Sequence, residues 1–263
     1  MCSNNDIARE AATNQPAVSA TETSSEAGLS KRELQRNLEQ TFELIRQAAR
    51  ENGRDPQEIT LLPVTKFHPV EAIAQLAALG ETDVAENREQ EARDKAEKLP
   101  DVRFHMIGQV QTKKANSVAR WAHSVHSLDS IKLADALDRG ISLAKEREQR
   151  PADFVLPVFL QLSVDGDSSR GGVQAQDLEE LAAHVDKLTQ LKLAGIMVVP
   201  PLDADASEVF REARALCDAL AARFGRVLRL SAGMSADLDK AIAAGSDIVR
   251  VGTGIMGQRP VAF

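Results

Sequence analysis

Short apolar runs alternate with amphipathic stretches along the chain from residue 60 onward. The apolar runs are rich in Val, Ile and Leu and have the length of buried strands, whereas the stretches between them repeat apolar residues at helical spacing. The predicted strands cover residues 60–65, 82–85, 103–107, 123–127, 154–164, 191–198, 227–230 and 247–251. Among the predicted helices, residues 69–79 begin at Pro69 and stop before Gly80.

A further helix is predicted before the first strand. Ser30 and Glu33 have the spacing of a capping box, and apolar residues recur on one helical face until Asn52 and Gly53 end the pattern. Residues 1–28 contain no Leu or Phe and are dominated by small and polar residues, so we predict a disordered tail there. The predicted organisation is therefore a tail over residues 1–28 and one folded domain over residues 29–263.

The order of elements predicts an α/β protein built as a single (β/α)8 TIM barrel with an extra N-terminal helix. A doubly wound sheet usually has a glycine-rich loop after its first strand, whereas Phe67, His68 and Pro69 follow the first strand here. In a barrel the carboxyl ends of all strands meet at one face. Residues far apart in sequence, such as Lys66 and Gly252, are therefore expected to lie close together.

Composition narrows the class of protein. The chain has 263 residues, a formal net charge of -7 and a pI of about 5.4. An acidic chain without a Lys/Arg-rich block is a poor partner for nucleic acid or anionic membranes. No stretch is apolar enough to span a bilayer, and no hydrophobic signal region precedes Cys2. Cys2 and Cys217 are too few for a disulfide framework, so we expect a cytoplasmic protein.

Lys66 ends the first predicted strand with an amine. At the carboxyl end of a buried strand, low dielectric disfavours the ammonium form and leaves a neutral amine, which is the nucleophile of Schiff-base chemistry. The alternative is that Lys66 extends past the strand end into water.

Two small-residue loops follow the seventh and eighth predicted strands, at residues 231–235 and 252–257. Glycines let the backbone approach an anion closely, and Ser231 and Thr253 add hydroxyl donors. The loops at these two places in TIM barrels often bind phosphate. A lysine amine facing a phosphate site predicts a phosphorylated aldehyde as the ligand, and pyridoxal 5′-phosphate (PLP) is the obvious candidate.

Arg250 precedes Gly252 by two positions, so on a strand both point the same way, towards the ring of such a ligand. An arginine can only donate hydrogen bonds and keeps a pyridine nitrogen opposite it unprotonated. Such a ring is a weaker electron sink than one held by an aspartate. The alternatives are a solvent-exposed arginine or an ion pair between Arg250 and Asp247.

Ordered motifs along the chain resemble those of the pyridoxal phosphate homeostasis protein family, whose members have an alanine-racemase-like barrel. The resemblance extends from about residue 30 to the end of the chain. Its motifs are Val64-Thr65-Lys66, Glu86-Asn87 with Gln90-Glu91, His105 to Gly108 with Gln111 and Lys114, Gly195 to Pro200, Leu230 to Asp237, and Arg250 to Thr253.

The resemblance implies a PLP site, with a Schiff base at Lys66, Asn87 beside the ring and Arg250 at the pyridine nitrogen. The phosphate contacts that it implies are Ser231, Gly252 and Thr253. No turnover is established for the family, whose members are regarded as vitamin B6 carriers or buffers. The implied partners are PLP and PLP-dependent apo-enzymes, and we expect a monomer.

The sequence also favours a non-catalytic function because it contains no tyrosine. Alanine racemases of the same barrel use a tyrosine as one of two proton-transfer bases and carry a second β domain, whereas this chain ends at Phe263, soon after the eighth strand. The alternative is a PLP-dependent racemase or Schiff-base lyase of limited scope. Either enzyme needs an acid–base group beside Lys66.

Few other side chains are candidates for that chemistry. His68 and His105 lie near strand ends, and Glu86 is expected to pair with a cation. His123 and His126 are three apart on a predicted strand, which places them on opposite faces and excludes a local metal pair. We therefore predict no metal site. The loop at residues 166–172 is either a lid over the site or a plain solvated loop.

Overall fold

The computed structural model describes residues 29–167 and 170–258. The eight predicted strands are all present. They are β1 (Thr60–Pro63), β2 (Asp83–Glu86), β3 (Arg103–Met106), β4 (Ser124–Leu128), β5 (Leu156–Leu162), β6 (Leu191–Val198), β7 (Arg229–Ser231) and β8 (Ile248–Val251). The tail predicted over residues 1–28 lies outside the described residues, as do residues 259–263 at the end of the predicted domain.

The strands form a parallel sheet that curves into a barrel. Hydrogen-bonded neighbours follow the order β1, β8, β7, β6, β5, β4, β3, β2. Between β1 and β2, Val64 pairs with Ala85, and the Thr65 N–H donates to the Ala85 carbonyl over 3.0 Å. The predicted (β/α)8 barrel is confirmed.

Helices follow the strands around the outside of the barrel. In the described part of the chain they are α1 (Lys31–Glu51), α2 (Val70–Ala77), α3 (Glu89–Lys98), α4 (Ala115–Trp121), α5 (Ile131–Glu146), α6 (Leu178–Val185), α7 (Ala206–Phe224), α8 (Leu238–Ala243) and α9 (Thr253–Met256). None of them combines the length and the apolar character that a bilayer span requires.

The extra helix α1 begins as predicted. Ser30 Oγ accepts from the Glu33 N–H over 3.3 Å, and the Glu33 carboxylate accepts from the Ser30 N–H over 2.9 Å. The apolar face of α1, which includes Leu38, packs against the outside of the barrel. Asn37 Nδ2 donates to the Ile255 carbonyl over 3.0 Å, so α1 also supports the segment after β8.

Some element boundaries differ from the sequence prediction. Pro69 is the extended residue before α2 rather than its first residue, and α2 is capped by Ala78 rather than by Gly80. Gly80 adopts a left-handed conformation (φ 101°) two residues later, where the chain turns towards β2. β7 begins after Val227, which is 90% exposed and therefore unsuited to a buried strand, and continues through Ser231.

Apolar side chains fill the middle of the barrel. They form one cluster that consists of Leu62, Val64, Ala85, Phe159, Met197 and Ile248. Val64 and Met197 face a cavity at the carboxyl ends of the strands, whereas Leu62, Phe159 and Ile248 face another cavity at the amino ends. The cluster therefore separates two cavities at opposite ends of one barrel.

Candidate functional site

The cavity at the carboxyl ends of the strands collects most of the residues that the sequence singles out. Its volume is about 420 Å³. Five of the six predicted site residues line it, namely Lys66, Asn87, Arg250, Gly252 and Thr253. They come from the ends of β1, β2 and β8, and they meet because parallel strands of a barrel end at one face.

Lys66 lies in a tight turn rather than at the end of a buried strand. β1 ends at Pro63, and Lys66 is only half-buried, so the buried-strand environment expected for its amine is not found. The next residue, Phe67, has a left-handed backbone (φ 68°), which for a residue other than glycine costs on the order of 1–3 kcal/mol. The Phe67 N–H donates to Glu91 Oε1 over 2.7 Å. The Arg88 guanidinium stacks on the Phe67 ring, with its central carbon 4.9 Å from the ring centroid. These contacts hold the turn in its strained conformation.

A buried ionic cluster lies directly beneath this turn. Lys95 Nζ donates to Glu86 Oε1 over 2.7 Å, to Glu91 Oε1 over 2.6 Å and to the Thr65 carbonyl over 3.0 Å. Thr65 Oγ1 also donates to Glu86 Oε1 over 2.7 Å. Burial raises the pKa of Glu86, although Lys95 and Thr65 act in the opposite direction. The pairing of Glu86 with a cation is confirmed, and the cation is Lys95 from α3.

Asn87 is positioned by an unusually close backbone contact. A Cβ atom at Gly108 would lie 2.0 Å from the Asn87 carbonyl oxygen, so only glycine allows the end of β3 to approach the end of β2 this closely. Ser127 Oγ donates to the Gly108 carbonyl over 2.6 Å and fixes the same segment. Asn87 thus reaches the cavity from a rigid support.

Arg250 is a buried cation at the inner wall of the cavity. It is 3% exposed, its Nη1 donates to Ser231 Oγ over 2.8 Å, and its Nη2 donates to the Val198 carbonyl over 3.0 Å. Burial lowers the pKa of Arg250 to about 10. Within the described residues Arg250 forms no salt bridge. Asp247, the partner considered from the sequence, pairs with Arg54 and Arg214 instead. Both alternatives for Arg250 are therefore wrong, and a buried guanidinium without a carboxylate partner faces the cavity.

A hydrogen-bonded chain leads from Arg250 through the barrel interior. Its successive donor and acceptor atoms are 2.6 to 2.9 Å apart. It consists of Arg250, Ser231, His126, Ser124, His105 and Asp83. His126 is 1% exposed, and burial lowers its pKa well below the usual range. This series of hydrogen bonds connects the cavity to the amino ends of the strands.

The histidines divide between the two ends of the barrel. His68 lines the cavity beside Lys66, and burial, with the nearby Lys95, lowers the pKa of its imidazole. His105 lies at the opposite end, so it is not beside Lys66. His123 and His126 line one cavity rather than opposite faces, because His123 precedes β4 and does not follow its alternation. Within residues 29–167 and 170–258, no three His, Cys, Asp or Glu side chains are arranged to hold a metal ion.

The loop predicted as a lid or a solvated loop is tied to its neighbours at Arg170. Arg170 Nη1 donates to Asp165 Oδ2 over 2.7 Å, and Arg170 Nη2 donates to the carbonyls of Val199 and Pro200 over 3.0 and 3.2 Å. The described part of this loop therefore contacts the segment after β6, next to Val199 in the cavity wall.

Comparisons with known proteins agree with the barrel fold and identify the family. The family model of the alanine racemase N-terminal domain matches residues 35–260. The pyridoxal phosphate homeostasis protein of Corynebacterium glutamicum is 54% identical over 212 residues, which cover 81% of this chain and 96% of that protein. The chain belongs to the pyridoxal phosphate homeostasis protein family. The Escherichia coli member is 36% identical over 236 residues, covering 86% of this chain and 97% of that member.

Solved structures contain the same barrel as this member of the pyridoxal phosphate homeostasis family. PipY of Synechococcus elongatus, solved with PLP bound, has a TM-score of 0.68 and 32% identity over 81% of this chain and 100% of PipY. An alanine racemase of Clostridium difficile has a TM-score of 0.64 but 16% identity, over 88% of this chain and 58% of the racemase. The likeness to the racemase concerns the fold alone.

Ser231, which the family motif suggests as a phosphate contact, lies away from the cavity wall. Its side chain is fully buried in the barrel, where its hydroxyl bonds to Arg250 and His126. Ser235, four residues later in the same motif, lines the cavity, and its hydroxyl accepts from the Gly254 N–H over 3.4 Å. The sequence signal for Ser235 is its place in the small-residue loop, two residues beyond Gly233, which the structure shows in a left-handed conformation (φ 93°).

Proposed function

We propose that this protein binds PLP in the cavity at the carboxyl ends of the strands and serves PLP homeostasis without turning over a substrate. The observation that carries the proposal is a single cavity lined by an amine, a buried guanidinium and a hydroxyl-bearing loop, contributed by Lys66, Arg250 and Thr253. The names of the family members and the PLP-bound PipY structure support it.

The cavity fits the cofactor in size and in chemistry. Its volume of about 420 Å³ is within the range of small-molecule sites, about 300–1,000 Å³. A buried guanidinium that lacks a carboxylate partner is costly unless another acceptor reaches it. A ring nitrogen opposite Arg250 supplies such an acceptor. Ser235, Gly252 and Thr253 offer hydroxyl and backbone N–H donors, which suit a phosphate group.

Each residue has a distinct task in this proposal. PLP supplies an aldehyde carbon that is electrophilic towards an amine. The Lys66 amine would condense with that carbon to a Schiff base, with the aldehyde oxygen leaving as water, and the strained turn would limit where the amine can lie. Asn87 packs beside the ring, and Arg250 donates to the ring nitrogen and keeps it unprotonated. These roles rest on the placement of the side chains around one cavity.

Phosphate binding is assigned to the loops after β7 and β8. Gly252 and Thr253 keep the role that the sequence suggests, and Ser235 takes the role first expected of Ser231. Ser231 instead acts through Arg250, because its hydroxyl oxygen accepts a hydrogen bond from Arg250 Nη1 over 2.8 Å. The proposal thus separates a phosphate-binding serine from a serine that positions the arginine.

A carrier function is supported by the scarcity of acid–base groups. Among the described residues that line the cavity, the titratable side chains are Lys66, His68 and Arg250. Two-base racemisation needs a second base on the opposite face of the substrate from the lysine. His68 is two residues from Lys66 in the same turn and does not offer that arrangement. His68 does favour one rival, a lyase of limited scope in which its imidazole moves a proton.

The first test is the absorption spectrum of the purified protein with PLP, before and after borohydride reduction and peptide mapping. We expect a band in the near-ultraviolet or visible region that reduction fixes onto the Lys66 peptide. Lys66→Ala should lose the band. Lys98→Ala, which alters an exposed lysine at the end of α3, should retain it. A protein that stays colourless with added PLP, or a label on other lysines, would contradict the proposal.

The second test separates a carrier from an enzyme. The PLP-loaded protein is incubated with L-alanine and with a phosphorylated sugar, and racemisation and aldehyde release are followed with His68→Gln alongside. We expect neither reaction above the rate of free PLP. A reaction that requires both Lys66 and His68 would favour the lyase or racemase.

We further propose that the protein is a cytosolic monomer that delivers PLP to apo-enzymes. Transfer is measured by the recovery of activity of a PLP-depleted aminotransferase mixed with the loaded protein. Light scattering of the same sample gives the oligomeric state. Recovery no faster than with an equal amount of free PLP would restrict the function to buffering.

A further inference from the structure

The amino ends of the strands enclose a second cavity, at the end of the barrel opposite Lys66. Its volume is about 340 Å³, and residues at the starts of several strands line it. The interior of a TIM barrel is normally filled by layers of side chains, and its amino-terminal face normally serves stability. An open space of this size at that face therefore calls for a physical explanation.

The floor of this cavity is apolar. Leu62, Phe159 and Ile248 are each at most 5% exposed and belong to the interior cluster that closes the barrel. Polar and charged side chains surround this floor at the strand starts. An apolar floor with a few convergent polar groups is the usual composition of a small-molecule site.

One guanidinium among the charged groups around the floor, that of Arg229, forms no salt bridge with a described residue. The Asp83 carboxylate already has partners, because Arg103 forms a salt bridge with it and His105 a hydrogen bond. Arg229 Nη2 donates to Thr60 Oγ1 over 2.6 Å and to the Asp247 backbone carbonyl over 3.0 Å. Among the described residues Arg229 forms no salt bridge. The arginine and aspartate side chains that line the cavity, Arg103, Arg229 and Asp83, thus carry a net positive charge in a chain of net charge -7.

His123 adds a second donor without a partner. Its ring packs edge-on against the His105 ring, with centroids 5.2 Å apart, and makes no hydrogen bond to residues 29–167 or 170–258. Burial, together with His105, lowers the pKa of His123 and so favours its neutral imidazole. A neutral imidazole has one N–H to donate and one nitrogen to accept.

We infer that this cavity is a second ligand-binding site, which takes a small carboxylate with an apolar body. Arg229 and His123 bind the carboxylate, and the apolar body lies on Leu62, Phe159 and Ile248. A guanidinium and an imidazole N–H both favour carboxylate oxygens, and the fixed fork of arginine suits their geometry. The site shares no lining residue with the cavity that holds Lys66, so this inference does not rest on the proposed function.

Benzoate is the test ligand, and benzamide is its uncharged isostere. The chain has five histidines, so their ring C–H signals can be assigned in heteronuclear NMR spectra by single substitutions. The ring of His68 reports on the cavity of Lys66, whereas the rings of His105 and His123 report on this one. We expect benzoate to shift the His105 and His123 signals saturably, with a dissociation constant in the millimolar range. Benzamide should bind at least about tenfold more weakly.

Two variants test the contacts. Arg229→Gln and His123→Phe should each weaken benzoate binding by about tenfold or more, followed on the His105 ring signal. Arg46→Gln removes one positive charge from the exposed face of α1 and should leave binding unchanged. His123→Phe removes no hydrogen bond of the described fold, so it remains informative if Arg229→Gln does not fold. Shifts confined to His68, equal binding of benzamide, or no saturable shift at all would overturn the inference.

Discussion

Removal of the Lys95 ammonium should destabilise the protein and displace the amine of Lys66. Lys95 Nζ makes three hydrogen bonds of 2.6 to 3.0 Å, and its side chain is 7% exposed. Its partner Glu86 has a fully buried side chain, so the Lys95→Met variant leaves a carboxylate without its cation in the interior. Breaking a buried ion pair in this way costs about 3–5 kcal/mol. That is a large part of a total stability of about 5–15 kcal/mol.

The penalty should depend on pH in a defined direction. Burial raises the pKa of Glu86 in the folded protein above its unfolded value, and Lys95 opposes that shift. Without Lys95, the folded state therefore favours the protonated carboxyl. The unfolded state loses this proton above a pH of about 4.3, so stability decreases as pH rises from there through the folded pKa. Lys95→Met should consequently lose more stability at pH 8 than at pH 5.

Urea unfolding followed by circular dichroism at both pH values measures the effect. Lys98→Met changes an exposed lysine on the same helix and should stay within about 0.5 kcal/mol of the parent protein. The double variant Lys95→Met with Glu86→Gln removes the buried charge and should recover part of the loss at pH 8. A Lys95→Met protein as stable as Lys98→Met at both pH values would refute the reasoning. PLP absorbance of the folded variant then shows whether the turn of Lys66 has moved.

Two further predictions concern the hydrogen-bonded chain and the phosphate loop. Burial alone would raise the pKa of Asp83, but hydrogen bonds from Arg103 and His105 outweigh it and lower the pKa in the folded protein. The ionised carboxylate therefore stabilises the fold above a pH of about 4, and this contribution is lost as pH falls towards the folded pKa. In Asp83→Asn the unfolding free energy should therefore fall less steeply as pH is lowered below about 4. An unchanged pH dependence would show that other carboxylates dominate the loss of stability in acid. Ser235→Ala should weaken PLP binding by about 10- to 100-fold in a spectroscopic titration, whereas Ser231→Ala should mainly lower the unfolding free energy, by about 1–3 kcal/mol. The reverse pattern would restore Ser231 as the phosphate contact.

The sequence was sufficient for the barrel because each strand is a local apolar run and each helix has its own periodicity. All eight strands were predicted, and the errors are at their ends. The most consequential error is at β7, which was expected to stop at residue 230 but extends through Ser231. The last residue of a barrel strand can point into the interior, and Ser231 does so. The one-residue extension of β7 accounts for the burial of Ser231 and its hydrogen bond from Arg250, and its role at the phosphate stays a prediction.

The position of Lys66 depends on contacts that local patterns do not reveal. The motif around Lys66 predicted an amine near other strand ends, which the structure confirms. It gave no sign that Thr65, Glu86 and Lys95, which are 9 to 30 residues apart, meet beneath the turn. A charged residue on α3 looks like any solvated helix position until the helix packs on the barrel. The strained backbone at Phe67 persists because this cluster and Glu91 hold it. The cost of that strain is what we expect a fixed amine to require, and the buried ionic cluster of Glu86, Glu91 and Lys95 beneath the turn offsets it.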